Sequence, residues 1–272
     1  MTEASSSPEF LVTKQHRRFV EFCEACRRYR YIGLCYGPPG VGKTLSARVY
    51  AHWDRIEALY DLRLDTLPSA PDVMPCRTVF YTPTVANSPG QVKKEVAATR
   101  TKLAYLLHDM AHILQGRPGP LITAGATDQT ELLIIDEADR LKMNSLEQLR
   151  DIYDRDQLGL ILIGMPGLEK RLSRYPQLYS RVGFVHPFPS LSSAEIQFVL
   201  QHKWTHLGFA FDPNDFTDAE TMAIISHITR GNFRLLQRLL TQIERLMQIN
   251  QLQVVTKEVV EMARDFLVIG TV

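Results

Sequence analysis

Through roughly the first 190 residues, short apolar runs alternate with longer stretches in which apolar positions recur every three or four residues. The runs Tyr31–Tyr36, Thr78–Thr82, Leu132–Ile135, Leu160–Ile163 and Val182–His186 are bounded by turn or charged residues, as buried strands are. Helical patterns cover Phe10–Arg30, Lys43 to about Leu62, and the Ala- and Leu-rich Gln91–Gln115. In the first of these, Phe19, Val20, Phe22 and Cys23 give an apolar face, and Lys14, Arg17, Arg18, Arg27, Arg28 and Arg30 make the remainder basic. Pro68, Pro71 and Pro75 mark Asp65–Cys76 as a surface connection, and Gly116, Pro118 and Gly119 stop the long helical stretch. Strands alternating with helices predict an α/β fold, a parallel sheet covered on both faces.

After about Pro189 the strand pattern ends. Three helices are predicted there. Ser192 with Glu195 and Thr217 with Glu220 match the reciprocal pairing that satisfies backbone N–H groups at a helix start. In Phe233–Asn250, Leu236, Leu240, Ile243 and Met247 fall on one face. The division expected is therefore a loose arm and basic helix over 1–30, an α/β domain over 31–189, and a small helical region over 190–272.

Composition narrows the class. Apolar residues make up 45% and charged residues 22%, the balance of a soluble globular chain, which excludes a disordered one. No apolar run approaches the roughly 18 residues of a spanning helix. The opening MTEASSSPEF has neither the basic nor the apolar region of a secretory signal. Four cysteines do not make a disulfide framework, so the expectation is a protein of a reducing cytosol with no membrane partner. With 31 basic and 30 acidic residues the net charge is +1, so any attraction to nucleic acid must come from a local patch.

The most informative stretch is Gly37-Pro38-Pro39-Gly40-Val41-Gly42-Lys43-Thr44, which fits G-x-x-x-x-G-K-[ST]. Its glycines let successive N–H groups turn inward on phosphate oxygens, and a helix beginning at Lys43 adds its positive end. Lys43 can reach the β- and γ-phosphates of ATP, and the Thr44 hydroxyl can ligate Mg²⁺. An apolar strand precedes the motif and a helical pattern follows, the context such a loop requires. In Glu131-Leu-Leu-Ile-Ile-Asp136-Glu137 a second apolar strand ends in two acids. A strand tip next to the phosphate loop places Asp136 to hold Mg²⁺ and Glu137 to orient an attacking water.

Together these motifs resemble the AAA+ ATPases, in which an α/β nucleotide domain carries a small C-terminal helical lid. The resemblance implies Walker A at Gly37–Thr44 and Walker B at Leu132–Glu137, with ATP and Mg²⁺ as cofactors. It puts a polar sensor 1 residue at the end of Leu160–Ile163, where Gly164 and Met165 stand instead, implying slow hydrolysis. It further implies that Arg181 is an arginine finger completing a neighbouring subunit's site, with Arg174 a nearby alternative. It makes Arg234, in Gly231-Asn232-Phe233-Arg234, a sensor 2 residue touching the nucleotide. A helix cap followed by an exposed arginine also fits that last motif. The candidate catalytic residues are thus Glu137, Lys43 and Arg181.

Asp136-Glu-Ala-Asp139-Arg140-Leu141 and Ile163-Gly-Met-Pro-Gly167-Leu-Glu-Lys-Arg171-Leu172 resemble phrases of the TnsC/TniB/MuB group of DNA transposition regulators. That resemblance implies a helical filament or hexameric ring on duplex DNA. Its implied partners are a transposase and, in some members, a target-selection protein or a CRISPR targeting complex. Lys93, Lys94, Arg100, Thr101 and Lys102 lie in the region that faces DNA in this group, and phosphate contacts by such residues would be sequence-tolerant. A charge run is also what a solvated helix face looks like. Helicase loaders share similar phrases, although no aromatic-and-basic platform for single strands is visible. An ATP-switched scaffold with little hydrolysis is a further alternative.

Other constellations are set aside. Cys23-x-x-Cys26 has no second pair at finger spacing. His108 and His112 lack the glutamate of a zinc-protease helix, Asp109 standing in its place. Trp53 and Trp204 read as packing residues. Asp151, Asp154 and Asp156, interleaved with Arg150 and Arg155, read as a mixed-charge face or a subunit contact.

Overall fold

The five apolar runs become five strands close to where their pattern puts them. The computed structural model describes residues 10–60, 62, 67–68, 70–115, 126–206 and 215–267. The strands are β1 (Ile32–Tyr36), β2 (Thr78–Tyr81), β3 (Leu132–Ile135), β4 (Gly159–Gly164) and β5 (Val182–Pro187). All neighbouring pairs are parallel, in the order β2-β3-β4-β1-β5. Leu132, Leu133, Ile134 and Ile135, like Leu160–Ile163, are wholly buried, as strands covered on both faces must be.

The sequence pattern carries no strand order, and the structure supplies it: β4 lies between β3 and β1, so the carboxylate strand and the phosphate-loop strand are separated by one strand. The tip of β4 therefore carries more of the geometry than its short Gly-Met ending suggests.

The helices of the first part are α1 (Lys14–Tyr29), α2 (Lys43–Tyr50), α3 (Trp53–Tyr60), α4 (Pro89–Leu114), α5 (Met143–Asp156), α6 (Leu168–Leu172) and α7 (Pro176–Tyr179). The single helix expected from Lys43 to about Leu62 is broken. His52 takes a left-handed backbone (φ 50°), and Arg48 pairs across the break with Asp54 at 2.5 Å and with Glu57. α4 starts two residues earlier than its pattern, because Ser88 accepts the Gln91 N–H at 3.2 Å and Pro89 opens the first turn. Its proposed stop signals Gly116, Pro118 and Gly119 lie outside the described residues, as do the first nine residues, part of Asp65–Cys76 and the last five residues.

The last third, within the described residues, has four helices where three were expected: α8 (Ser193–His206), α9 (Phe216–Thr229), α10 (Phe233–Asn250) and α11 (Lys257–Asp265). The fourth escapes a helix count because its nine residues supply few apolar positions; Val259, Val260 and Ala263 are the buried ones. Ser192 and Glu195 form both bonds of their reciprocal cap, Ser192 N–H to Glu195 Oε2 at 3.0 Å and Glu195 N–H to Ser192 Oγ at 3.3 Å. Thr217 and Glu220 do not. Asp215 caps α9 instead, accepting from Thr217 N–H at 2.9 Å and Asp218 N–H at 3.2 Å, since a carboxylate one residue before the helix outcompetes a hydroxyl inside it. Leu236, Leu240, Ile243 and Met247 are buried with Trp204, Leu200 and Val260 in a helical core of their own.

The chain divides into two compact units. One comprises Arg18–Gly37 with Lys43–Phe188; the other joins the described parts of Met1–Arg17 and Pro189–Val272 to Pro38–Gly42. No helix in the described residues is long and apolar enough to cross a membrane.

Candidate nucleotide site

The chain leaves β1 directly into the Gly37–Thr44 motif. Gly40 (φ 77°) and Gly42 (φ 107°) have left-handed backbones, which L-residues with side chains resist, so the spacing of these two glycines fixes the curl of the loop. α2 starts at Lys43. Val41 is buried, whereas Pro38 and Pro39 are exposed on the loop's outer side.

In the α/β unit, Lys43, Thr44 and Asp136 converge. Lys43 is buried, and its ammonium donates to the Gly37 carbonyl at 2.7 Å. Asp136 is 3% exposed at the end of β3, where Thr44 hydrogen-bonds its side chain. Burial pushes the Asp136 carboxyl above the ordinary carboxylate range, and the Thr44 bond and the Lys43 charge pull it back in part. A buried carboxylate beside a threonine hydroxyl is a donor set that suits a hard divalent cation.

Glu137 is exposed and carries a left-handed backbone (φ 48°, ψ 43°), and its carboxylate pairs with Arg140. Arg181 precedes β5. Its Nε donates to Asp154 Oδ1 at 2.6 Å and its guanidinium also bonds the Gln177 carbonyl, so both ends are held within the chain. The other Asp154 oxygen takes Arg150 at 2.7 Å. The mixed-charge face on α5 is in this way partly the seat of Arg181.

In the helical unit, the start of α10 meets the loop backbone. The Arg234 N–H donates to the Gly40 carbonyl at 2.8 Å and the Asn232 side chain donates to the Pro39 carbonyl at 3.0 Å. Asn232 also caps α10 through the Leu235 N–H. The Gly-Asn-Phe-Arg phrase signals the cap, whereas the contact with the loop joins residues far apart in the chain and has no local signature. The Arg234 side chain is exposed and lines a cavity of about 460 Å³ with Lys203, Arg238 and Glu244.

The expected nucleic-acid residues fare unevenly. Lys93, Lys94, Thr101 and Lys102 are exposed on α4. Arg100 is not available: it pairs with Asp128 at 2.8 Å and with Asp156, and its side chain is 16% exposed. Nor do the five form one face. At about 100° per residue, Lys102 points roughly opposite to Lys93, and its ammonium lies 5.9 Å from the Tyr60 ring.

Cys23, Cys26, Cys35 and Cys76 are all buried, and no disulfide joins them. Burial raises their thiols, that of Cys26 to about 12, which keeps them protonated and unreactive. Trp53 and Trp204 are packing residues, each 3% exposed.

A parallel sheet, a glycine-curled loop on β1 and a buried carboxylate on β3 define a phosphate-loop nucleotide-binding protein. The chain belongs to the AAA domain family, whose model matches residues 26–172. It is 45% identical to a "Potential ATP-binding protein" of Staphylococcus aureus, over 98% of this chain and 99% of that one. It is 26% identical to the Mu-like prophage FluMu DNA transposition protein B of Haemophilus influenzae, over 86% and 72%. Among solved structures, the Thermotoga maritima RuvB Holliday junction branch migration motor has a TM-score of 0.59 at 16% identity, over 96% of this chain and 72% of that one. The Aeropyrum pernix ORC1 protein in complex with DNA has 0.58 at 19%, over 95% and 66%. These two likenesses concern the fold.

Proposed function

We propose that the chain is an ATPase that assembles on duplex DNA and regulates transposition, marking a target site and recruiting a transposase. The convergence of Lys43, Thr44 and Asp136 carries the ATPase part. The Haemophilus relative supports the transposition part, and the exposed Lys93 and Lys94 support backbone contact with duplex DNA.

The chemistry divides among the chain's own groups. The Lys43 ammonium exchanges its Gly37 carbonyl for oxygens of the β- and γ-phosphates, and the loop N–H groups hold the rest of the chain of phosphates. Thr44 and Asp136 would hold Mg²⁺, which when bound neutralises phosphate charge. Glu137, freed from Arg140, orients a water toward the γ-phosphorus and accepts its proton. The water oxygen bonds to phosphorus as the bond to the departing ADP oxygen breaks. Arg181, freed from Asp154, stabilises the transferring group from a neighbouring protomer.

A second reading, a nucleotide-switched scaffold that scarcely turns over, is favoured by Gly164 at the tip of β4 and by the engagement of Arg181 within its own chain. ATPase rate per protomer, measured against protein concentration with and without duplex DNA, separates the two. The assembly reading expects a rate that rises with both, and an Arg181→Ala loss of about 10³-fold. A rate independent of concentration and intact in Arg181→Ala removes the trans finger. Filaments on duplex DNA with a non-hydrolysable ATP analogue, seen by electron microscopy, support the transposition reading; closed rings with a helicase argue for a loader.

A further inference from the structure

Glu137 stands in a backbone region that a residue with a side chain keeps where its surroundings impose it. The turn around it is held from two directions. Asp139, two residues on, reaches across to the end of β4, where its Oδ2 accepts the Met165 N–H at 2.7 Å. From α6, Arg171 donates to the Asp139 carbonyl at 2.9 Å and to the Leu141 carbonyl.

The end of β4 is shaped for this contact. A Cβ on Gly164 would lie 2.5 Å from Asp139 Oδ2 and 2.9 Å from Leu168 Cδ2, so a side chain there would push the Asp139 carboxylate from its place. On its other side the Gly164 carbonyl accepts the Gly37 N–H at 3.4 Å. Because β4 lies between β1 and β3, this tip is the piece of backbone that ties the start of the phosphate loop to the turn carrying Glu137.

We propose that Asp139 is a positioning residue for hydrolysis. It fills the space that a Gly164 side chain would take, and with Arg171 it fixes the Glu137 turn relative to Lys43 and Thr44. The missing polar side chain on β4 is then no deficit: a carboxylate from the neighbouring turn supplies the polar contact at that strand end. The inference deepens the ATPase reading and rests on it.

The test is steady-state ATP hydrolysis by the full chain with saturating duplex DNA and Mg²⁺, alongside nucleotide affinity from a fluorescent ATP analogue. Asp139→Ala is expected to lower kcat about tenfold, with KM and analogue affinity within about twofold of wild type. Asp139→Asn, which keeps an acceptor for the Met165 N–H, recovers most of the rate. Gly164→Ala lowers kcat by a similar factor, since its methyl displaces the carboxylate, and adds little on top of Asp139→Ala. An Asp139→Ala kcat within twofold of wild type, losses that multiply in the double variant, or a parallel loss of affinity overturns the assignment. A wild-type chain that hydrolyses nothing sinks the ATPase reading and the inference with it. An active wild type beside an unaffected Asp139→Ala sinks the inference alone.

Discussion

The strand tips at β1 and β3 and the basic stretch of α4 both present charged residues that a sequence reading assigns to ligands, and the fold treats them differently. At the tips, Lys43 and Asp136 are buried, near one another, with Asp136 bonded by Thr44 and its carboxyl still pushed up by lost solvation. On α4, Arg100 has found two carboxylates of its own, Asp128 and Asp156, and Lys102 lies over Tyr60. In the first region burial outweighs what Thr44 and Lys43 give back to the Asp136 carboxylate, whereas in the second Arg100 is held by two carboxylates that are themselves partly exposed. What separates them is the depth at which the charge sits: Asp136 is 3% exposed, whereas the carboxylates that hold Arg100 keep part of their solvent.

The sharpest way to break this comparison is Arg100→Ala. If Arg100 is a structural clamp, its removal leaves two partly buried carboxylates facing each other without a cation. The variant is expected to lose about 2–3 kcal/mol of stability, a fall in Tm of roughly 5–10 °C for a chain of this size. Salt dependence of DNA binding by the folded protein stays unchanged. A variant with wild-type Tm and a flattened salt dependence would return Arg100 to the DNA-binding set.

The contrast also accounts for what was legible in advance. The phosphate loop is read because its chemistry is local: Gly40 and Gly42 set backbone angles, and Lys43 and Thr44 follow at fixed offsets on a helix start. The strands are read because four wholly buried residues such as Leu132–Ile135 have nowhere else to go. The role of Arg100 was illegible because its partners lie 28 and 56 residues further along the chain and meet it through packing. Strand order was illegible for the same reason, so the interposition of β4 and the contact of Asp139 with Met165 had no local signature. The break at His52 was hidden too, since Arg48, Asp54 and Glu57 are ordinary surface residues of a continuous helix until they pair.

Lys93 and Lys94 test the other half of the α4 stretch. Both are exposed. Replacing the two together with alanine is expected to weaken ATP-dependent duplex binding about tenfold at moderate salt. The slope of log affinity against log salt should fall by about 1.8, close to 0.9 for each phosphate contact removed. Equal weakening on unrelated duplex sequences goes with this, because phosphate contacts carry no base information. An unchanged slope moves the DNA contact off α4 altogether.

The smallest effect probes the strand tips without nucleotide, where burial works against the Asp136 charge. The Asp136 carboxyl is raised by burial, so in the folded state its neutral form is favoured relative to the unfolded chain. The unfolded state then releases its proton at lower pH, and folding stability declines as pH rises from the ordinary carboxylate range through the raised native value. Asp136→Asn keeps an acceptor for Thr44 and removes the charge. In chelator-treated, nucleotide-free protein at neutral pH it is expected to gain about 1 kcal/mol, a Tm rise of roughly 2–4 °C. The gain should shrink as pH falls into the range where the wild-type carboxyl is itself protonated. With Mg²⁺ and ATP present the order is expected to reverse, because under the proposed function only the wild type keeps the carboxylate that would hold the cation. A variant less stable than wild type without ligand would mean that Lys43 and Thr44 already compensate Asp136 in full, and the two regions would then differ in sequence motif but not in electrostatic design.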